Sequence, residues 1–237
     1  MKMKIRVVLL VVALTGAAAG ILFSVTLRAG SQKADGVEIK NEPHHRLKFE
    51  NEFVRVWETV LPAGEVTLWH RHNFDNLAVT ITDAKLRVEP LEGSPAESET
   101  KTGDVAFRRA TYVHRASSVG TTTYHNFLIE FLKSPEAAKT TPAKTDVARQ
   151  PVFENERVTV YRISLAPGES LPMHTHAKAG LSLVIAGSEI AVTTAGSDKI
   201  QTLTIASGEA RWRPGALTHA IRNSGKTRFE GVDVELK

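Results

Sequence analysis

Phe-Glu-Asn-Glu-Phe-Val-Arg-Val at residues 49–56 returns as Phe-Glu-Asn-Glu-Arg-Val-Thr-Val at 153–160, an offset of 104. The same offset pairs Leu61 with Leu165, Gly64-Glu65 with Gly168-Glu169, His70 with His174 and His72 with His176. After one single-residue slip the offset becomes 105. It then pairs Gly103 with Gly208, His114 with His219, Gly120 with Gly225 and Glu130 with Glu235. Self-similarity at a fixed spacing means that one architectural unit is used twice. Two units of about 100 residues are each large enough to hold a core.

Each unit reads as β. Phe53 to Val60 and Val158 to Ile163 alternate with period two, the pattern of a half-buried strand. Leu77 to Ile81 and Leu181 to Ile185 are short apolar runs suited to buried strands, and Thr123 to Phe131 suits a late one. Leu-Pro-Ala-Gly at 61–64 and Leu-Ala-Pro-Gly at 165–168 supply turns. No convincing amphipathic helix follows residue 40. Short strands at regular spacing predict a sandwich or barrel in each half.

Side chains two apart on a strand share a face. His70 therefore converges with His72, and His174 with His176. His114 and His219, from equivalent places further along, are positioned to complete a three-imidazole face in each repeat. Of nine histidines, six fall into these two matching triplets. That economy points to metal sites, since neutral imidazole suits several transition metals.

On these residues the chain resembles the cupin superfamily. The first cupin motif is Gly, five residues, His-x-His, three or four residues, Glu, six residues, Gly. The second repeat matches at Gly168, His174, His176 and Gly187, with Gly180 where Glu is expected. The first matches at Gly64, His70 and His72, with Asn76 for Glu and Asp83 for the last Gly. The second motif is Gly, five residues, Pro-x-Gly, two residues, His, three residues, Asn. It appears as Gly208, Pro214, Ala216, His219 and Asn223, and more faintly as Gly103, Arg109, Thr111, His114 and Ser118. The opening of each repeat also resembles small bacterial cupins of undefined activity.

The resemblance, which covers about residues 47–237, implies an all-β fold: two tandem cupin-type antiparallel β-barrels, a bicupin; the apolar run at 7–27 is read separately as an N-terminal hydrophobic helix. The segments are 1–28 as signal sequence or membrane anchor, 29–41 as tether, 42–132 and 151–237 as the two repeats, and 133–150 as linker. The implied metal ligands are His174, His176 and His219, and His70, His72 and His114. The implied cofactor is a divalent metal ion, with iron favoured over manganese, zinc, nickel and copper. The second repeat keeps the fuller motifs and is the stronger metal candidate; the first suits a more structural role.

Both halves lack the Glu. Three neutral imidazoles leave a metal its full charge and open positions for water, oxygen or an anionic or chelating substrate. This set is similar to that of thiol dioxygenases and some carbon–carbon-cleaving dioxygenases, and argues against oxalate-type chemistry. Asn76 offers only a weak amide oxygen; Gly180 offers nothing. Two readings follow: an oxygenase-like metalloenzyme acting on a small molecule, or a non-catalytic small-molecule-binding or structural bicupin. No acid–base residue stands out.

Other residues carry blander expectations. His44-His45 read as exposed loop histidines and His125 as a surface or core residue. Trp69 and Met173 should turn away from the metal into packing. Arg211 and Arg213 should be solvated over a core Trp212, and Asp75 reaches the site only if its strand bulges.

The first thirty residues speak to location. Lys2, Lys4 and Arg6 precede an uncharged stretch from Val7 to Leu27, 21 residues. Ala17-Ala18-Ala19 fits a cleavage site, yet the run exceeds the roughly 7–15 residues of a signal core and reaches the roughly 20 of a membrane span. Its length favours an uncleaved anchor with the basic end inside. Either reading places the rest outside the cytoplasm, periplasmic or secreted. There is no cysteine, which excludes disulfides and thiolate chemistry. The net charge of +4 draws partly on the basic head, and no basic stripe suggests nucleic acid.

Overall fold

The computed structural model describes residues 35–134 and 151–237. The apolar run at 7–27, expected as a helix, and most of the expected linker lie outside them. Among the described residues no helix is long and apolar enough to cross a membrane.

The first repeat has ten strands: β1 (Val37–Glu38), β2 (His45–Glu50), β3 (Val54–Leu61), β4 (His70–His72), β5 (Asn76–Thr80), β6 (Ala84–Pro90), β7 (Ala96–Thr100), β8 (Val105–Arg108), β9 (Tyr112–Ser118) and β10 (Tyr124–Phe131). The second has nine: β11 (Pro151–Glu154), β12 (Val158–Leu165), β13 (Ser170–His176), β14 (Gly180–Ala186), β15 (Ser188–Thr194), β16 (Ile200–Ile205), β17 (Ala210–Arg213), β18 (Leu217–Asn223) and β19 (Phe229–Leu236). Each repeat folds its strands into two sheets. In the first these are β1-β4-β9-β6-β7 and β2-β3-β10-β5-β8; in the second, β11-β12-β19-β14-β17 and β13-β18-β15-β16. Every pairing is antiparallel except β1 with β4.

One expectation shifts here. Val37 and Glu38 pair with His70 and Arg71, and Ile39–Asn41 form a 3-10 turn whose Ile39 is buried against Trp57, Ala78 and Leu128. The end of the expected tether is thus built into the first repeat, because Ile39 caps an apolar patch that strands alone leave open. The turns fall where they were read: Gly64 and Gly168 both adopt positive φ, at 82° and 83°.

Strand alternation sets what goes where. On β3 and β10, Val54, Val56, Phe127, Ile129 and Phe131 point away from the first barrel; on β12 and β19, Val158, Val160, Val232, Val234 and Leu236 point away from the second. These faces form a single apolar core between the repeats. Aromatic rings close its edge, with Trp212 stacked on Phe49 and Phe53 at 6.1 and 5.8 Å between centroids. Each buried side chain of this kind contributes about 1.5–3 kcal/mol, so the repeats are joined chiefly by burial. Asp75 adds a polar fastening. It accepts from Arg109 and the Ala110 amide of its own repeat and from Arg157 of the other, while Arg109 also pairs with Glu156. Asp75 therefore serves the seam and not the histidine site.

The complementary faces point into the barrels. Leu165, Val184, Ile190, Ile221 and Phe229 fill much of the second. Leu61, Leu86 and Ala116 line one wall of the first.

Candidate metal centres

The triads assemble through strand pairing. β4 lies against β9 with His70 opposite His114, and β13 lies against β18 with His174 opposite His219. His72 and His176, two residues further along, return to the same interior face. In both repeats the three imidazoles offer ring nitrogens that all lie within 4.8 Å of one another. All six predicted histidines are thus brought together, three and three.

In the second repeat the tautomers are set from behind. Nδ1 of His174 donates to the Pro172 carbonyl at 2.7 Å, and Nδ1 of His176 donates to Glu235 at 3.0 Å, with Asp233 at 3.2 Å. Both Nε2 atoms then face the barrel interior, 3.1 Å apart, and His219 Nε2 lies 3.0 Å from that of His176. Nitrogens this close share a cation between them, either a proton in an N–H···N bond or a metal ion that replaces it. Two nitrogens at right angles on a metal with bonds of about 2.1 Å would be about 3.0 Å apart. The donor set and its spacing fit a transition metal.

Electrostatics agree. Burial, with the neighbouring His174 and His176, brings His219 down to about 4, so it is a neutral donor. Burial also opposes charge on His176, but Asp233 and Glu235 outweigh it and raise its pKa. Binding a metal through that Nε2 would therefore expel a proton at mildly acidic pH. Asp233 is buried; desolvation works against its charge, yet His176 and Arg213 hold its pKa far below the usual carboxylate range.

Asp233 and Glu235 were not assigned to the site from the sequence. Asp233 accepts from Arg213 at 3.0 Å and from Ser182 at 2.9 Å. The available signal was two carboxylates at alternating positions in Val232-Asp233-Val234-Glu235-Leu236, where an apolar interior was to be expected. Arg213, expected in solvent, is instead buried on this pair, while Arg211 bonds Glu209 nearer the surface. Trp212 packs, partly buried, against the edge of the core between the repeats. The same cluster explains the absent Glu. A Cβ at Gly180 would sit 2.4 Å from the Val234 carbonyl and 2.6 Å from Arg213 Nη2. Arg213 occupies the space that a side chain at 180 would need. The carboxylates have moved behind His176, where they orient a ligand in place of being one.

The first triad has different surroundings. Nδ1 of His70 donates to the Leu68 carbonyl at 2.9 Å, which leaves its buried Nε2 a lone pair without a protein partner. His72 and His114 place their Nε2 atoms 3.1 Å apart. Burial, with His45 nearby, lowers His70 to about 4; His72 and His114 are also lowered, again chiefly by burial. Asn76, at the missing-Glu position, turns its amide oxygen to the Tyr112 hydroxyl at 3.1 Å and is not a free donor.

His45 corrects an expectation. It is not on an exposed loop: its ring lies 4.8 Å from that of His70, and its Nδ1 meets buried Glu42 at 2.6 Å. Glu42 also takes His44, whose other nitrogen reaches Glu65 at 2.8 Å. Burial opposes the charge on Glu42, but His45 and His44 outweigh it and bring the carboxyl to about 2. The Phe49 repeat stops short of this segment, so internal comparison had no partner with which to flag it. His125 pairs with Glu58 near the surface. Trp69 packs under Arg115, whereas Met173 is half-exposed and not packed as expected.

No protein-family model matches this sequence, and no curated protein matches it. Solved structures do. AerE from Microcystis aeruginosa superposes with a TM-score of 0.61 at 12% identity, over 84% of this chain and 95% of AerE. A tryptophan variant of oxalate decarboxylase from Bacillus subtilis gives 0.57 at 12% identity, over 81% of this chain and 74% of that one. The fold is the cupin fold, in tandem. A Cupin 2 conserved barrel domain protein from Leptotrichia buccalis also matches this bicupin, at 0.50 and 13% identity over 81% and 88% of the two chains. The Bacillus subtilis oxalate decarboxylase carries Mn(II) centres. At such low identity the likeness speaks for the architecture of the bicupin alone.

Proposed function

We propose that the protein is an exported, metal-binding bicupin whose three-histidine sites serve oxygenase-like chemistry on a small molecule. The observation that carries metal binding is the second triad. There, the Nε2 of His176 lies 3.1 and 3.0 Å from those of His174 and His219, while a carbonyl and two carboxylates fix His174 and His176 from behind. His174, His176 and His219 would hold the ion; imidazole suits iron, zinc, nickel and copper alike, and iron is favoured over manganese, zinc, nickel and copper by the likeness of the set to that of thiol dioxygenases. A metal with open positions supplies Lewis-acid or redox activation. The chain's part is to present three Nε2 atoms to the ion, to fix His174 through the Pro172 carbonyl, and to hold the Nδ1–H of His176 against Glu235 and Asp233 so that its Nε2 faces the site. His70, His72 and His114 would form a second centre.

Export is supported by Lys2, Lys4 and Arg6 ahead of the 7–27 apolar run. On this reading the barrels work outside the cytoplasm, tethered to the membrane through that segment.

A non-catalytic bicupin is the second reading, favoured by Asn76 being committed to Tyr112 and so lost as a ligand. Metal analysis of the full chain, purified without a histidine tag and reconstituted with iron, separates the two when paired with oxygen-uptake measurements. Stoichiometric metal with uptake supports the enzyme. Absence of metal after reconstitution refutes it.

A further inference from the structure

The interior of the first barrel holds an unusual concentration of unmet polar groups. Across the described residues seven buried side-chain atoms lack a hydrogen-bond partner, and four of them line one cavity: Thr59 Oγ1, Asn126 Oδ1, His70 Nε2 and His72 Nδ1. Thr59 and Asn126 stand opposite each other on β3 and β10, each about 4% exposed. A buried polar atom without a partner costs about 1–3 kcal/mol, so a pair kept side by side implies a polar occupant. The cavity has a volume of about 50 Å³. At roughly 10–15 Å³ per water-sized group, it takes about four such groups. No carboxylate lines it.

This inner cavity abuts a larger outer cleft of about 530 Å³. Ala78, Leu86, Val88, Arg108 and Tyr124 line both spaces. Arg108 is the only charged residue in that ring. It is exposed toward the cleft, and no carboxylate among the described residues pairs with it. Tyr124, at the same neck, accepts from the Asn126 amide at 2.8 Å. Its own proton stays on the oxygen, because burial pushes its pKa up to about 12. The second repeat contributes to the mouth through Arg162, packed against Gly103. The first barrel therefore presents neutral imidazoles, a hydroxyl and an amide oxygen inside, an arginine at the neck that meets the Tyr112 hydroxyl but forms no ion pair, and a roomy entrance that also carries Glu99 and Asp104. The second barrel, by contrast, has its arginine already neutralised by Asp233.

We propose that the first barrel is the ligand-binding barrel and that it takes a small hydroxycarboxylate: the carboxylate at Arg108, and the hydroxyl donating to Asn126 Oδ1 beside Thr59. This deepens the small-molecule reading above and rests on it, but requires no particular metal. It also reverses the sequence-based expectation that the first repeat is the more structural of the two.

Glycolate is the probe, and its neutral amide, glycolamide, is the control. Both are titrated calorimetrically into the full chain, metal-free and iron-loaded, with metal content measured on the same samples. Glycolate is expected to bind at least tenfold more tightly than glycolamide. Arg108→Gln should weaken glycolate roughly 10- to 100-fold, as expected for a charge-assisted hydrogen bond, without lowering the thermal midpoint. Thr59→Val should weaken glycolate while raising the midpoint of the ligand-free protein, since it removes an unsatisfied hydroxyl without changing shape; a merely structural threonine would do neither. His174→Ala/His176→Ala should leave glycolate affinity unchanged. Equal affinity in wild type and Arg108→Gln overturns the proposal, as does loss only in the His174/His176 variant. So does the absence of binding by glycolate, lactate and malate alike, which would leave water as the occupant. Arg108-dependent binding without metal in any sample supports this proposal and refutes the metal reading. Bound metal without Arg108-dependent binding does the reverse.

Discussion

Replacing Asp233 by Asn separates the two tasks assigned to the carboxylates behind the second triad. Asp233 is 1% exposed and meets Arg213 at 3.0 Å, Ser182 at 2.9 Å and His176 at 3.2 Å. Asn keeps the shape and one acceptor oxygen but removes the charge. Arg213 is then a buried guanidinium whose remaining carboxylate, Glu235, is 4.0 Å away. Breaking a buried pair in this way costs about 3–5 kcal/mol, out of a typical total of about 5–15 kcal/mol. The variant should fold but lose a large part of its stability, read as a lower urea midpoint. Metal affinity at this site should fall about 10- to 100-fold, the usual effect of losing an outer carboxylate from a ligating histidine, read by chelator competition. Glu235→Gln supplies the contrast. It weakens the hold on His176 while leaving Arg213 paired, so affinity should fall with a smaller loss of stability. If Asp233→Asn stays within about 1 kcal/mol of wild type, the buried Arg213–Asp233 pair is not the structural element described. If its metal affinity is unchanged, the carboxylates do not orient His176.

Three further outcomes follow from the same structure. Phe127→Ala, at a fully buried position between the repeats, should cost about 3–5 kcal/mol and lower the thermal midpoint, whereas a change near zero would mean that this core does not hold the repeats together. Gly180→Glu, which restores the expected motif residue, should fail to strengthen metal binding and should destabilise the fold, because its Cβ collides with the Val234 carbonyl; tighter metal binding with intact stability would contradict that geometry. The metal-free protein should lose stability as pH falls from 6.5 toward 4, measured by urea unfolding. His70 binds its proton near 6.5 when unfolded but only near 4 when folded, so acid favours the unfolded chain by about 3 kcal/mol from this residue. His72, His114 and His219 act in the same sense, while His44 and His176, both raised, oppose it. Glu42, lowered to about 2, enters only below its ordinary 4.5. Stability that rises on acidification to pH 4.5 would refute the buried neutral triads.

Much of the fold was legible because the chain states it twice. The 104-residue echo, the period-two strands and the paired His-x-His motifs depend on local spacing, and the strands formed within a residue or two of where they were read. What spacing cannot convey is which interior position a distant side chain takes. Asp233 and Glu235 sit on the last strand and reach His176 only because β19 runs beside β14, bringing Glu235 opposite Gly180. Arg213 looked solvated because alternation with Trp212 fixes two faces without saying which is buried; Trp212 packs, partly buried, against the core between the repeats, and Arg213 is buried inside the barrel. His45 and Glu42 lie ahead of the repeat, where nothing in the second half provides a comparison. Arg108 was not read as a site residue for a different reason: that it lines the first barrel's cavity without a carboxylate ion pair follows from the packing of β5, β8 and β10, not from any local pattern.

The most direct test of the central claim is metal stoichiometry of the full chain after iron reconstitution, beside His174→Ala/His176→Ala and His70→Ala/His72→Ala variants. Bound metal is expected in the wild type, with loss of the second-barrel share in the first variant and of the first-barrel share in the other, and none when both pairs are removed. Metal that is absent from the wild type, or that persists undiminished in the His174→Ala/His176→Ala variant, would contradict that claim.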